Sequence, residues 1–139
     1  MFDIRFLKQE EKDSIVPFLK KLDPTITEET LQERLTMMFQ NGYQCVGVFD
    51  GNKLIGISGL WVLTKYYIGK HVEPDNVYIS NAYQGQGIGN LMMEWIFNYA
   101  KSIGCNGTEL NCYVDNKAGR RFWEKQGYKL VGYHYQKKF

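Results

Sequence analysis

Three glycines at alternate positions, Gly85, Gly87 and Gly89, stand at the start of the segment with the strongest helical pattern in the chain. Apolar residues of that segment recur at helical spacing from Ile88 to Ile103. Because glycine costs about 1 kcal/mol relative to alanine inside a helix, a glycine-rich helix entry indicates that something must come close to the backbone there. The pattern predicts a strand, then a tight loop, then a long helix.

The rest of the chain predicts one domain, residues 1–139, of about the size that buries a single core. Alternating apolar residues predict five strands: Phe2–Leu7, Gln44–Phe49, Lys53–Val62, Val72–Ser80 and Thr108–Val114. Helical spacing and capping signals predict four helices: Glu10–Leu22 (bent at Pro17), a helix that starts at the capping box Thr25–Glu28 and ends at Gly42, a helix that starts at Ile88 and ends before Gly104, and Lys117–Gln126. The final segment, Tyr128–Phe139, is β-rich and could form one strand or two. The order β-α-α-β-β-β-α-β-α-β predicts an α+β fold whose central sheet is mixed, mostly antiparallel, and flanked by helices.

The charge balance, the hydropathy and the cysteine content indicate which classes of binding partner are disfavoured. With 17 Lys and Arg against 15 Asp and Glu, the chain has no basic surplus that would favour nucleic acid. No apolar run is long enough to span a bilayer and no leader pattern begins the sequence, so we expect a cytoplasmic protein without a membrane partner. Cys45, Cys105 and Cys112 lack CxxC spacing, and with His71 and His134 they suggest no metal cluster, so we expect reduced thiols and no metal.

The glycine loop fits neither familiar phosphate motif. Counted from Gly85, the sixth position of a dinucleotide fingerprint is Asn90 rather than glycine, and no Gly-Lys-Ser/Thr tripeptide of a Walker loop occurs. What remains is a run of backbone N–H groups, from Gln84 to Gly89, that leads into the positive end of a helix. This arrangement predicts a pyrophosphate cradle, while a glycine-lined helix entry that only packs tightly is the alternative.

Two motifs carry a family resemblance. The pattern Gln84-x-x-Gly87-x-Gly89, after a strand and opening a helix, resembles the acetyl-CoA motif of the GNAT superfamily of N-acetyltransferases. Asn116, followed by the segment Phe122–Tyr128 (FWEKQGY), resembles the terminal signature of that family. The resemblance implies a GNAT fold and acetyl-CoA as cosubstrate. It places these residues at the coenzyme diphosphate: Gln84, Gly85, Gln86, Gly87, Ile88 and Gly89.

The same resemblance implies roles along the coenzyme arm. In GNAT proteins two strands, here Val72–Ser80 and Thr108–Val114, splay apart and the pantetheine arm lies between them. Main-chain groups of Tyr78 and Ile79 would then bind the arm, and the Ile79 N–H would face the thioester oxygen. Asn116 would contact the arm or simply cap a helix.

One aromatic residue departs from the family pattern. Trp123 stands where many members have a tyrosine that protonates the leaving thiolate, and an indole N–H cannot serve as that acid. Trp123 is therefore expected to pack in the core or to line the coenzyme tunnel. Tyr113 is a substitute proton donor.

Acetyl transfer needs an uncharged amine, yet an alkyl ammonium has a pKa of about 10.4, so a proton acceptor is required. Glu73 lies eleven residues before Gln84, where the histone-acetylating branch of the family places its catalytic glutamate. Strand alternation predicts that Glu73 shares a face with Asp75, Val77 and Ile79. Glu73 is therefore a candidate base that takes the amine proton directly or through a water, and a surface carboxylate near a turn is the alternative.

Together these features predict an acetyl-CoA-dependent N-acetyltransferase that passes the acetyl group directly to a primary amine of a small molecule or a protein. No histidine is expected beside Cys112, so no covalent acetyl-enzyme is expected. The alternative is a non-catalytic acyl-CoA-binding sensor or interaction module with the same fold. The sequence does not name the acceptor amine, and a homodimer is compatible with it.

Overall fold

The computed structural model describes all residues, 1–139, and centres on a five-stranded sheet with the order β1-β2-β3-β4-β5. The strands are β1 (Phe2–Leu7), β2 (Gln44–Asp50), β3 (Lys53–Lys65), β4 (Gly69–Ile79) and β5 (Gly107–Thr108). The helices are α1 (Val16–Leu22), α2 (Glu28–Gln40), α3 (Ile88–Ser102) and α4 (Lys117–Lys125), with 3-10 turns at Gln9–Ser14 and Asn81–Tyr83. Strands β1 to β4 pair antiparallel and β5 pairs parallel with β4, so the predicted mixed, mostly antiparallel sheet is confirmed.

Two helix starts differ from the sequence-based prediction. The single helix expected over Glu10–Leu22 is a 3-10 turn followed by α1, because Pro17 lacks an N–H and suits the first turn of a new helix rather than an interior. The N-cap of helix α2 lies two residues later than the predicted cap at Thr25. Its N-cap is Thr27, whose side chain accepts a hydrogen bond from the Thr30 N–H at 3.2 Å.

Each face of the sheet is covered by helices. Helix α3 packs its buried side chains, including Met92 and Ile96, on one face of the sheet. Helices α1 and α2 pack Phe18 and Leu35 on the other. Fully burying a side chain of this size contributes about 1.5–3 kcal/mol, so the amphipathic stripe of α3 decides which way it lies on the sheet. No helix of the chain is long and apolar enough to cross a bilayer.

Strands β4 and β5 pair over only two residues. His71 lies opposite Gly107 and Val72 opposite Thr108, and the last backbone hydrogen bond runs from the Glu109 N–H to the Val72 carbonyl at 3.2 Å. No backbone hydrogen bond joins residues 73–79 to residues 110–116. The prediction that this strand continues to Val114 is therefore wrong beyond Thr108. The two segments nevertheless separate after this point, as the predicted coenzyme site requires. We call the space between residues 73–79 and 110–116 the strand gap.

A bulge in β4 changes which side chains share a face. Asn76 has φ 40°, and the pairing of β3 with β4 shifts register between Ile57 and Gly59. Glu73 lies opposite Trp61 on the α1 and α2 face, whereas Val77 and Ile79 pack against the core on the α3 face. The prediction that Glu73, Asp75, Val77 and Ile79 share one face is wrong, because the extra residue of the bulge inverts the alternation.

The segment that follows α4 forms no strand. Tyr128 packs against Trp123 with ring centroids 5.5 Å apart, and its hydroxyl lies 2.9 Å from the hydroxyl of Thr108. Beyond it the apolar side chains are exposed: Leu130, Val131, Tyr133 and Tyr135. The strand predicted in Tyr128–Phe139 is therefore absent, because a β-rich pattern forms a strand only where a partner edge pairs with it.

Candidate active site

The glycine loop leaves amide groups free at the start of α3. Gly85 and Gly87 adopt positive φ values of 79° and 77°, a conformation that side chains with a β-carbon rarely adopt. A β-carbon built on either residue would meet no atom within 4 Å, so the space in front of both is open. The first hydrogen bond into the helix runs from the Leu91 N–H to the Gly87 carbonyl at 3.2 Å. The Gln84 N–H already donates to the Asn81 carbonyl at 3.3 Å, but the amides of residues 85–90 have no backbone acceptor and can bind an anion.

Gly89 and Ile88 have a different role in this loop. A β-carbon on Gly89 would lie 3.0 and 3.2 Å from two ring carbons of Phe122 on α4. The missing side chain of Gly89 is therefore explained by the packing of α3 on α4. Ile88 is buried in the core beneath α3 and anchors the helix start.

The two glutamines of the loop bond to the protein itself. The Gln84 Nε2 donates to the Ile79 carbonyl at 2.8 Å and to the Asn81 Oδ1 at 3.1 Å. The Gln86 Nε2 donates to the Ala82 carbonyl at 3.3 Å. These bonds hold the loop against the end of β4, so the amides of the loop rather than the glutamine side chains face outward as anion donors.

At the end of β4, the backbone N–H and C=O groups of successive residues point alternately toward β3 and away from it. The Ser80 N–H donates to the Ile55 carbonyl of β3 at 2.8 Å. The backbone groups of Tyr78 therefore also point to β3, and those of Ile79 point into the strand gap. The expected main-chain contact of the coenzyme therefore fits the Ile79 N–H and not Tyr78, because the Ile79 carbonyl already accepts from the Gln84 Nε2. The Tyr78 side chain instead lines a cavity of about 280 Å³ between α1 and the end of β4, together with Pro17, Phe18, Lys21, Ser80 and Asn81.

The residues predicted near α4 have mostly structural contacts. Asn116 is the N-cap of α4 and accepts a hydrogen bond from the Gly119 N–H at 3.0 Å. Trp123 packs edge-to-face on Phe122 at 4.9 Å, as the core-packing alternative expects. Tyr113 is 81% exposed and its hydroxyl has no hydrogen-bond partner, while its backbone carbonyl accepts a hydrogen bond from the Asn116 N–H at 3.0 Å.

The cysteines are free thiols, as expected. Burial raises the pKa of Cys112, so this thiol stays protonated at neutral pH. Its hydrogen-bond partners are the backbone carbonyls of Tyr113 and Asn116. Neither can remove its proton, which supports transfer without a covalent acetyl-enzyme.

Glu73 belongs to a cluster of charged side chains that the sequence analysis did not recognise. The Glu73 Oε2 lies 2.8 Å from the Nε2 of His71, which is fully buried, and 3.1 Å from the Nζ of Lys65. The Lys65 Nζ also lies 3.0 Å from the Glu109 Oε1, which accepts a second bond from the Tyr67 hydroxyl at 2.7 Å. We call these five residues the apex cluster, because Glu73 and Glu109 directly follow the last β4–β5 pair, at the closed end of the strand gap.

The pKa values in the apex cluster shift as ion pairing requires. The hydrogen bonds from Tyr67 and Lys65 hold the pKa of Glu109 below its usual value. The two carboxylates hold the pKa of Lys65 above its usual value. His71, Glu73 and Glu109 each bring one donor atom to within 4.8 Å of the others, but the Lys65 ammonium already lies 3.1 Å from Glu73 and 3.0 Å from Glu109. We therefore assign no metal here, and the absence of a metal stays a prediction.

Comparison with known proteins decides the family. The sequence profile of the Acetyltransferase (GNAT) family matches residues 7–128. The chain belongs to the GNAT acetyltransferase family. Over 135 residues it is 26% identical to the glucosamine 6-phosphate N-acetyltransferase of Arabidopsis thaliana, with 91% of this chain and 89% of that protein covered.

Solved structures agree on the fold. The crystal structure of the Arabidopsis enzyme superposes with a TM-score of 0.75 at 23% identity, covering 100% of this chain and 99% of that one. A predicted acetyltransferase from Clostridium acetobutylicum, solved with acetyl-CoA, superposes with a TM-score of 0.81 at 18% identity over 99% and 96% of the two chains. An aminoglycoside N-acetyltransferase in complex with CoA gives 0.86 at 11% identity, covering 100% and 95%.

The predicted fold class and the predicted N-acetyltransferase are therefore confirmed for this GNAT protein. Several of its structural neighbours hold CoA or acetyl-CoA, which supports acetyl-CoA as the cosubstrate. The expectations of a cytoplasmic location, of no nucleic-acid or membrane partner and of a homodimer stay predictions.

Proposed function

We propose that this GNAT protein transfers the acetyl group of acetyl-CoA directly to a primary amine, with the diphosphate on the loop Gln84–Gly89 and the pantetheine arm in the strand gap. The observation that carries the proposal is the unpaired inner edge of β4, which begins beside the free amides at the start of α3. A chain of amides such as pantetheine satisfies such an edge as an added strand would.

We place the thioester deeper in the strand gap than the sequence-based expectation for Ile79 did. The loop touches Ile79 through the 2.8 Å bond from Gln84, so Ile79 is beside the diphosphate end of the coenzyme. The thioester is at the opposite end of the pantetheine arm and therefore falls deeper in the strand gap, toward Glu73. Ile79 is then a residue that binds the arm, in place of the oxyanion donor inferred from the sequence.

This placement favours Glu73 as the group that takes the amine proton, because the Glu73 carboxylate stands at the closed end of the strand gap. Once the amine is neutral, its nitrogen attacks the thioester carbonyl, the C–N bond forms, and the C–S bond breaks with the electron pair leaving on sulfur. With a pKa of about 8.5, the thiol leaves as thiolate at a cost of about 2 kcal/mol at neutral pH and needs no dedicated acid, which agrees with the exposed, unpartnered Tyr113.

The test is a panel of primary amines, including glucosamine 6-phosphate because of the Arabidopsis relative, a polyamine, an aminoglycoside and a lysine peptide. Thiol release from acetyl-CoA, measured with DTNB, and the acetyl mass gain of the amine should rise in equal amounts for at least one acceptor. Coenzyme binding with no thiol release on any amine would support the non-catalytic sensor instead.

A further inference from the structure

Both ring nitrogens of His71 lie within hydrogen-bond distance of an oxygen atom. Nδ1 lies 2.9 Å from the Gly69 carbonyl oxygen, and Nε2 lies 2.8 Å from the Glu73 Oε2. A carbonyl oxygen only accepts, so Nδ1 carries a proton. The short contact between Nε2 and Oε2 needs a second proton, which is either on Nε2 and donated to the carboxylate or on the carboxyl and donated to Nε2. His71 and Glu73 therefore share one proton in this geometry.

The groups around this pair balance its charge. Lys65 reaches it from β3, Glu109 from the end of β5 at 3.5 Å from the His71 Nε2, and Tyr67 from the β3–β4 turn through Glu109. The pair with its shared proton is neutral and the Lys65 ammonium offsets Glu109. When the shared proton is absent, the cluster carries one net negative charge, which favours taking a proton from an incoming ammonium.

We propose that His71 is a positioning residue for acetyl transfer, which holds the Glu73 carboxylate at the closed end of the strand gap and takes up, through Glu73, the proton that the acceptor ammonium loses. The inference rests on the proposed function. The first proton moves from the ammonium to the pair and then to solvent past the partly exposed Glu109. The second N–H proton, released when the C–N bond has formed, ends on the CoA sulfur, so the products are the amide, CoA thiol and one solvent proton.

The protonation of His71 supports this role. Burial lowers its pKa, but the Gly69 carbonyl, the Glu73 hydrogen bond and the charges of Glu109 and Glu73 outweigh burial and raise it above the ordinary histidine value. The shared proton is thus bound below that raised pKa and lost above it. Raising the pKa of the acceptor brings it closer to that of the ammonium it must deprotonate, which general base catalysis favours.

Nitrogen-15 NMR of the imidazole rings tests the shared proton without any activity. The chain has two histidines, His71 and His134, and His134 is exposed, so the variant His134→Gln assigns the signals and is the matched control. We expect His71 to keep the Nδ1 proton when it titrates, and its titration to move to lower pH in Glu73→Gln. A proton on Nε2 instead of Nδ1, or a titration of His71 unchanged by Glu73→Gln, would overturn the inference.

The kinetic arm compares kcat/KM for the best amine against pH in three proteins. The wild type and His134→Gln should share one rising limb, whereas in His71→Gln the limb should move to lower pH and kcat should fall while the KM for acetyl-CoA stays unchanged. A His71→Gln profile that superimposes on the control would overturn the inference and leave the proposed function intact.

A wild type that is inactive on every amine would overturn the proposed function, with the NMR result still deciding the shared proton. A profile that changes after EDTA treatment would assign the cluster to a metal and overturn the inference as well.

Discussion

Replacing Gly87 by alanine separates the anion-binding role of the loop from its backbone strain, because the chain contains a matched control. Gly104, at the other end of α3, has φ 81° where Gly87 has 77°, and a β-carbon on either residue would meet nothing within 4 Å. An alanine in this left-handed conformation costs about 1–2 kcal/mol. At about 4 °C per kcal/mol for a domain of this size, both variants should lose about 4–8 °C in Tm.

Only Gly87→Ala should also weaken coenzyme binding. Its methyl group enters the open space before the first free amides of α3, whereas that of Gly104→Ala stands at the opposite helix end. Loss of one hydrogen bond to a charged phosphate costs about 1.5–3 kcal/mol, or roughly 10- to 150-fold in Kd. Isothermal titration calorimetry with CoA, well below both Tm values, measures the difference. Equal Kd values for the two variants would refute the reasoning that this loop holds the diphosphate.

Three further predictions concern single side chains. Glu73→Gln should lower kcat by about 10²- to 10⁴-fold and remove the rising limb of the pH–rate profile, with the KM for acetyl-CoA unchanged; an unaltered profile would eliminate Glu73 as the proton acceptor. Asn116→Ala should lower the free energy of unfolding by about 1 kcal/mol in urea denaturation, while Asn116→Ser, which still caps α4, should retain most of it; equal losses would contradict the cap. Because the folded pKa of His71 is raised, its stabilising contribution is full below the unfolded pKa and is lost as pH rises through the folded value. The stability difference between wild type and His71→Gln should therefore be larger at about pH 6 than at about pH 9, and a difference that grows with pH would contradict the sign.

Local sequence patterns were sufficient to predict the helices and strands that bury one face against the core. The apolar stripe from Ile88 onward predicted α3, and Asp50-Gly51-Asn52 predicted the hairpin of β2 and β3. The glycines at helix ends, such as Gly42 and Gly127, do adopt the positive φ values that a helix stop uses. Each of these depends on neighbours within a few residues, which a sequence displays directly.

Features that depend on distant pairing could not be predicted in the same way. How far β5 extends depends on how long it stays beside β4, and the pattern of Thr108–Val114 carries no information on that distance. Because of the bulge at Asn76, the Ile79 side chain lies on the opposite face of the sheet from Glu73, since a single extra residue inverts strand alternation. The spacing of His71 and Glu73, two apart on one strand, could have indicated their contact, but Glu109 joins them only through the parallel pairing.

The most direct measurement for the account as a whole is amide chemical-shift mapping of the ¹⁵N-labelled protein during a titration with CoA. The account predicts that the largest shifts occur at residues 84–90 and along the inner edge of β4 from Glu73 to Ile79. Binding that instead shifts amides around Phe97, Lys101 and Thr108, which line a second cavity at the C-terminal end of α3, while residues 84–90 stay unchanged, would contradict it.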